Sequence, residues 1–248
     1  MLRASLLLSL LSILIPACTD SSAPDEFAGE SDADGEIGKG DAAGVFGYLN
    51  VIADSRACSL NSPSGCGTGF FVNRANRSTI QCGRGPLQKQ CKVMEIDWSG
   101  TAMPASVAQG YEDALRDGTP LLVKGEIVPA PNDAGVSLAV TEIWVASNPE
   151  WVDGVFTLVK DNGIRCITAP CPSVSEQKLN SNLSATITGI DFDDARANGV
   201  TQEQIDLASD QMYGGPGLVV VGYRYYDSAG GKARTAAKFF TKAPVPLR

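Results

Sequence analysis

Cysteines and carboxylates are the residues of this chain that could do chemistry, because it contains seven cysteines and no histidine. A serine or cysteine nucleophile is ordinarily activated by a neighbouring base, most often histidine, so acyl transfer lacks its usual base here. Two carboxylates, Asp97 and Asp191, stand in similar settings, each before an aromatic residue and ahead of a helical stretch. Converging carboxylates could hydrolyse a glycosidic bond. Separately, each would instead bond nearby backbone amides and shape a turn. Asp191, Asp193 and Asp194 bring oxygen ligands together, but they lack the spacing and turn glycine of a calcium loop. No Gly-rich run has the pattern of a phosphate or dinucleotide site, and no cofactor or metal is expected.

Six cysteines, Cys58, Cys66, Cys82, Cys91, Cys166 and Cys171, lie in the body of the chain. None has the C-x-x-C spacing of structural zinc. An even number in an exported chain reads as disulfides. Many pairings are open, and proximity favours Cys58–Cys66, Cys82–Cys91 and Cys166–Cys171, each closing a loop rich in Gly, Pro, Ser or Asn. The last of these braces loop 165–172, in which Arg165, Ile167, Thr168, Ala169 and Pro170 form a candidate binding loop. Two prolines and a bridge hold such a loop in shape before it meets a partner, which lowers the entropy lost on binding. Protease inhibitors present loops of this kind. Trp98, Trp144, Tyr223, Tyr225 and Tyr226 could line a sugar or peptide site, or serve as core and strand-face residues.

The seventh cysteine, Cys18, follows Arg3 and an apolar run from Leu6 to Ile15 that is too short to span a bilayer as a helix. Leu14-Ile15-Pro16-Ala17-Cys18 resembles a bacterial lipobox. The resemblance implies a signal peptide over 1–17, cleavage before Cys18, and lipid on that cysteine as the link to a membrane. Thr19 is not an inner-membrane retention signal, which favours the outer membrane. Residues 19–44 hold eight acidic side chains and one lysine, with almost no large apolar residue. A segment of this composition cannot bury enough surface to fold, so 18–44 is expected to be an acidic, disordered tether. From Val45 onward there are 20 acidic and 18 basic residues, a net of −2 within a whole-chain charge of −8. A near-neutral body with no basic cluster gives no case for nucleic-acid binding.

The elements that must position these groups recur in the same order twice. Tyr48-Leu-Asn-Val51, Asp54, Cys58, Pro63, Cys66 and Asn76 are matched by Phe156-Thr-Leu-Val159, Asp161, Cys166, Pro170, Cys171 and Asn180. Ile96-Asp97-Trp98 is matched by Ile190-Asp191-Phe192, and Leu121 to Gly125 by Leu218 to Gly222. The expected boundaries are therefore a first repeat unit over 45–148 and a second over 149–248. Strands are expected at 45–53, 69–73, 92–98, 121–128 and 136–146. A helix is expected at 104–116, with Val107, Tyr111 and Leu115 on its inward face. In the second unit Thr201 and Gln204 form a capping box, with Ile205, Ala208 and Met212 facing inward. The fold class is α+β, with two tandem units of order β-β-β-α-β-β. Small five-stranded barrels have that order, as do other α+β arrangements.

The motif from Gly163 to Pro172, with Cys58…Cys66 and Glu95-Ile-Asp-Trp98, resembles a family of bacterial lipoproteins classed as a domain of unknown function. The resemblance covers roughly residues 45–240 and implies no activity. Together these readings give the expectation of a non-enzymatic envelope lipoprotein that binds a protein or glycan partner. A protease inhibitor using loop 165–172 and a carboxylate-based hydrolase are the alternatives.

Overall fold

The computed structural model describes residues 46–54, 69–83, 85–130 and 135–243. β-Branched and aromatic residues set most of its elements as strands. The first half runs β1 (Gly47–Ala53), β2 (Phe70–Arg74), β3 (Ile80–Gln81), β4 (Leu87–Gln88), β5 (Cys91–Val93), β6 (Ile96–Asp97), α1 (Ala105–Arg116), β7 (Leu121–Pro129) and β8 (Val136–Ala146). The second runs β9 (Val155–Asp161), β10 (Val174–Lys178), β11 (Ser184–Ile187), β12 (Ile190–Asp191), α2 (Asp193–Ala197), α3 (Gln202–Gly214), β13 (Leu218–Gly222), β14 (Arg224–Tyr226), β15 (Lys232–Thr235) and β16 (Lys238–Lys242).

One sheet crosses both halves in the order β11-β10-β9-β13-β16-β8-β7-β1-β2-β5, with β6 parallel to β8. Among the described residues this sheet, open from β11 to β5, is not a closed barrel, which corrects the barrel expectation, although β6, just past β5, returns to pair with β8 in the same half. β16 pairs with β13 in its own half and also with β8, setting Phe240 opposite Ala146, Thr241 opposite Val145 and Lys242 opposite Trp144. A second sheet, β12-β15-β14, extends the second half, and the amide of Thr188, just past β11, donates to the Lys232 carbonyl at 2.7 Å. Read outward from the β8–β16 seam, strand order is β8-β7-β1-β2-β5 on one side and β16-β13-β9-β10-β11 on the other.

Two asparagines hold the halves together reciprocally. Asn76 donates to the carbonyls of Phe156 (2.7 Å) and Leu179 (3.1 Å) and accepts from the Phe156 amide (2.8 Å). Asn180 donates to the carbonyls of Tyr48 and Ala75 and accepts from the Tyr48 amide, all at 2.8 Å. Both residues are left-handed, with φ of 58° and 57°, a conformation asparagine tolerates better than most side chains. Between the halves lies an apolar cluster drawn from both, including Leu122, Trp144, Leu179, Val219 and Phe240. Each half keeps its own core as well, one around Leu49, Val51, Phe70 and Leu138, the other around Val159, Ile205, Leu218 and Phe239.

The helices pack on these cores. α3 begins at the expected capping box, with Thr201 and Gln204 bonded reciprocally, and buries Ile205, Ala208 and Met212. α1 is turned from its expected face: Ala108 and Leu115 are buried and Tyr111 is half-buried, while Val107 is exposed. Residues 108, 111 and 115 follow the i, i+3, i+7 stripe, and Val107 stands about 100° around the axis from Ala108. Among the described residues no helix is long and apolar enough to cross a membrane.

Candidate functional site

The loop between β9 and β10 gathers most of the candidate residues. A tight connection needs its backbone groups bonded locally, and the side chains that do this here are Asp161 and Asn162. The Asn162 amide donates to the Ser173 carbonyl at 3.0 Å, its side chain donates to the Pro172 carbonyl at 2.8 Å, and its Oδ1 accepts from the Ile164 amide at 2.9 Å. Arg165 closes a bidentate pair on Asp161, with both N–O distances 2.9 Å. That hydrogen-bonded guanidinium holds the Asp161 carboxyl below its usual range. Cys166 and Cys171 are bonded, with Cα atoms 5.5 Å apart. Every residue from Gly163 to Pro170 is exposed, and the backbone bends sharply from Ile167 to Pro170. At the tip the side chain of Ile167 is wholly in solvent, with a relative exposure of 104%. Thr168 and Ala169 stand beside it.

The loop leans on the turn between β14 and β15. A Cβ placed on Gly231 would stand 2.8 Å from the Pro170 Cβ and 2.9 Å from an Asp227 carboxylate oxygen, so only glycine leaves room for the loop there. Asp227 organises that turn, accepting from Thr188 Oγ1 (2.7 Å), the Gly231 amide (2.8 Å) and the Ala229 amide (2.9 Å). Those donors hold its carboxyl below the usual range.

The chain belongs to the family described as Domain of unknown function (DUF6748). The family model matches residues 47–243, nearly the whole described body. No curated protein and no solved structure gives a match.

Within this member of the family, the remaining candidates fall elsewhere. Cys82 and Cys91 are bonded, with Cα atoms 5.4 Å apart, in the first half. Cys18, Cys58 and Cys66 lie outside the described residues. Asp97 accepts from the Ser99 amide at 2.9 Å, and Asp191 accepts from the Asp193 amide at 2.9 Å, so each carboxylate shapes the turn that follows it. Trp144 is buried between the halves, which takes it out of any surface site, while Trp98 is half-buried and donates to Glu112 at 3.0 Å. Ser175 and Lys178 have the spacing of a serine–lysine pair, but they stand three apart on β10, where strand alternation sends them to opposite faces.

Sequence reasoning missed one cluster. Glu176, with a wholly buried side chain, accepts from Arg224 Nε and, at 2.6 Å, from Arg234 Nε; Arg234 also donates to the Gly222 carbonyl at 2.9 Å. The guanidinium groups are themselves buried, with side-chain exposures of 6% and 1%. The clue was positional. Val174 and Glu176 share one face of β10, and Val174 is a core residue.

Proposed function

We propose that this chain is an exported lipoprotein, held to a bacterial membrane by lipid on Cys18, and that its body is a non-enzymatic binding module for a protein partner. The observation that carries the reading is Ile167. A β-branched apolar side chain fully in water, on a loop braced by a disulfide and by the Asp161–Arg165 pair, is built as an anchor for an apolar pocket. The turn-forming geometry of Asp97 and Asp191 favours binding over hydrolysis. A protease inhibitor would use the same loop. The sharp bend from Ile167 to Pro170 is unlike the extended backbone that a protease active site reads, so a docking knob is preferred. We further infer that the two halves arose by duplication, because strand order outward from the seam and the two asparagine clasps repeat in both.

Capture from envelope extracts tests the binding reading. The wild-type chain is expected to retain a protein that Ile167→Gly does not. An identical set of captured proteins with both would overturn it, and inhibition of any protease in a broad panel would move the reading to the inhibitor. For the anchor, Cys18→Ser is expected to release the protein from membranes or leave it unprocessed. Normal fractionation with the signal still removed would refute lipidation.

A further inference from the structure

Two exposed tyrosines share one side of the hairpin against which the loop packs. Tyr223 and Tyr225 are 57% and 37% exposed and stand two apart, so they project to the same face about 7 Å apart. Tyr223 extends the strand pairing, its carbonyl accepting from the Thr235 amide at 2.9 Å. Tyr225 donates to Asp191 Oδ2 at 3.3 Å, which fixes its ring. Among the described residues β14 pairs with β15 alone, so no described strand pairs with its other edge.

Three carboxylates stand around Tyr225, and Lys232, a base on the neighbouring strand, lies opposite Tyr226, whose side chain takes the other face. Asp191 touches Tyr225, and Asp193 and Asp227 act on it from the flanking turns. Burial and these three carboxylates together push the Tyr225 phenol above its ordinary value. Arg196 is paired with Asp193 at 2.6 Å, and Arg224 turns to the opposite face, into Glu176. Electron-rich ring faces beside carboxylates such as Asp191 and Asp227 attract cations.

We propose that the Tyr223–Tyr225 edge docks an extended segment of the protein partner that carries lysine or arginine. This rests on the binding-module reading and names the partner's chemistry. The rings receive the cationic heads, Asp191 and its neighbours add charge complementarity, and the edge of β14 away from β15 receives the segment's backbone as an added strand. A neutral sugar would stack on the same rings and gain nothing from the carboxylates.

The test uses the full chain in detergent and a fluorescein-labelled peptide with lysine at alternate positions, at about 0.15 M salt. The peptide is expected to bind, and the same peptide with glutamate in place of lysine is expected not to. Tyr223→Ala and Tyr225→Ala should each weaken binding about fivefold. Tyr213→Ala, an exposed tyrosine at the end of α3, should leave it unchanged. All three variants preserve the net charge, so attraction to the acidic 19–44 segment is the same in each. Unaltered binding by both alanine variants would overturn the proposal, as would displacement of the peptide by N-acetylglucosamine oligomers. Ile167→Gly separates the two readings: it should abolish partner capture and leave peptide binding intact, so either can fail alone.

Discussion

Where the first half buries Val72, Ile127 and Leu138, the second buries Glu176, Arg224 and Arg234. The correspondence follows from strand register: Val72 pairs with Val51 as Glu176 pairs with Val159, and Ile127 pairs with Leu138 as Arg224 pairs with Arg234. At these matched positions the first half has three apolar side chains and the second an acid between two bases. An apolar triplet packs without regard to direction. An Arg–Glu–Arg cluster loses hydration on burial, and it recovers that loss only if each charge meets its partner in one geometry. Glu176 lies on β10 while its partners lie on β14 and β15, so the cluster fixes the hairpin against the rest of the second half. That hairpin carries the tyrosine edge and receives Pro170. At these positions the first half relies on packing, and the second on charges that meet in one geometry.

The largest expected effect breaks this difference directly. Glu176→Val leaves two buried guanidinium groups without their acid and should lower unfolding free energy by roughly 3–5 kcal/mol. Installing the first half's set at once, Glu176→Val with Arg224→Ile and Arg234→Leu, should restore stability or exceed the wild type by about 1–4 kcal/mol. Urea unfolding of the single and triple variants measures both. A triple variant as weak as the single would mean that the two halves do not share a core plan.

The asparagine clasps are a feature common to both halves. Asn76→Ala and Asn180→Ala each remove three hydrogen bonds and leave two carbonyls without that donor, a loss of about 3 kcal/mol. Near-equal losses in thermal unfolding are expected. A large loss at one site and none at the other would show that a single clasp suffices.

The comparison also shows how much a sequence discloses. The α3 capping box and the Cys82–Cys91 and Cys166–Cys171 bridges depend on residues a few positions apart, and their spacing is enough to read them. The β8–β16 seam joins strands far apart in the chain, and no local pattern separates it from a barrel closing on itself. Asn76 and Asn180 were visible as a matched pair, yet an asparagine in a turn is common enough that its reach into the other half left no signature. Glu176 sits in Val174-Ser-Glu-Gln-Lys178, a polar run that reads as a solvent-facing strand until the bases opposite are known. The candidate loop 165–172 was legible because composition and spacing define it. Its lean on Gly231, sixty residues onward, was not.

A smaller contrast concerns ionisation. The β8 and β16 registers set Glu142 opposite Lys124 in the first half and Lys238 opposite Val221 in the second. Glu142 is partly desolvated, but hydrogen bonds from Lys242 and Lys124 outweigh that and hold its carboxyl below the usual range. It therefore stabilises the fold above the ordinary glutamate range, and that contribution disappears as pH falls through its folded value. Lys238 is buried, with Nζ donating to the Glu150 carbonyl at 2.8 Å, and desolvation pulls it down to about 8 despite Glu150. The unfolded chain then binds more protons than the folded one between about 8 and the ordinary 10.5, so this group makes stability rise across that window, by at most about 3 kcal/mol, less what solvent screening removes. Melting temperatures from pH 7.5 to 10.5 should climb in the wild type relative to Lys238→Met. Parallel curves would remove the desolvated lysine from the account.

The smallest expected effect on stability belongs to the residue with the largest expected effect on binding. Ile167→Gly removes a side chain that touches no core, so unfolding free energy should change by less than about 0.5 kcal/mol. Its counterpart for the second half's frame is Gly231→Ala, where the new methyl would meet Pro170, Thr188 and Asp227 and should destabilise by about 1–3 kcal/mol. If the loop is presented by the hairpin beneath it, Gly231→Ala also weakens partner capture without altering any exposed side chain, while Ile167→Gly removes capture at full stability. Capture lost through Ile167 and unaffected by the Gly231 change would make the disulfide loop self-sufficient. The ionic cluster would then serve the tyrosine edge alone.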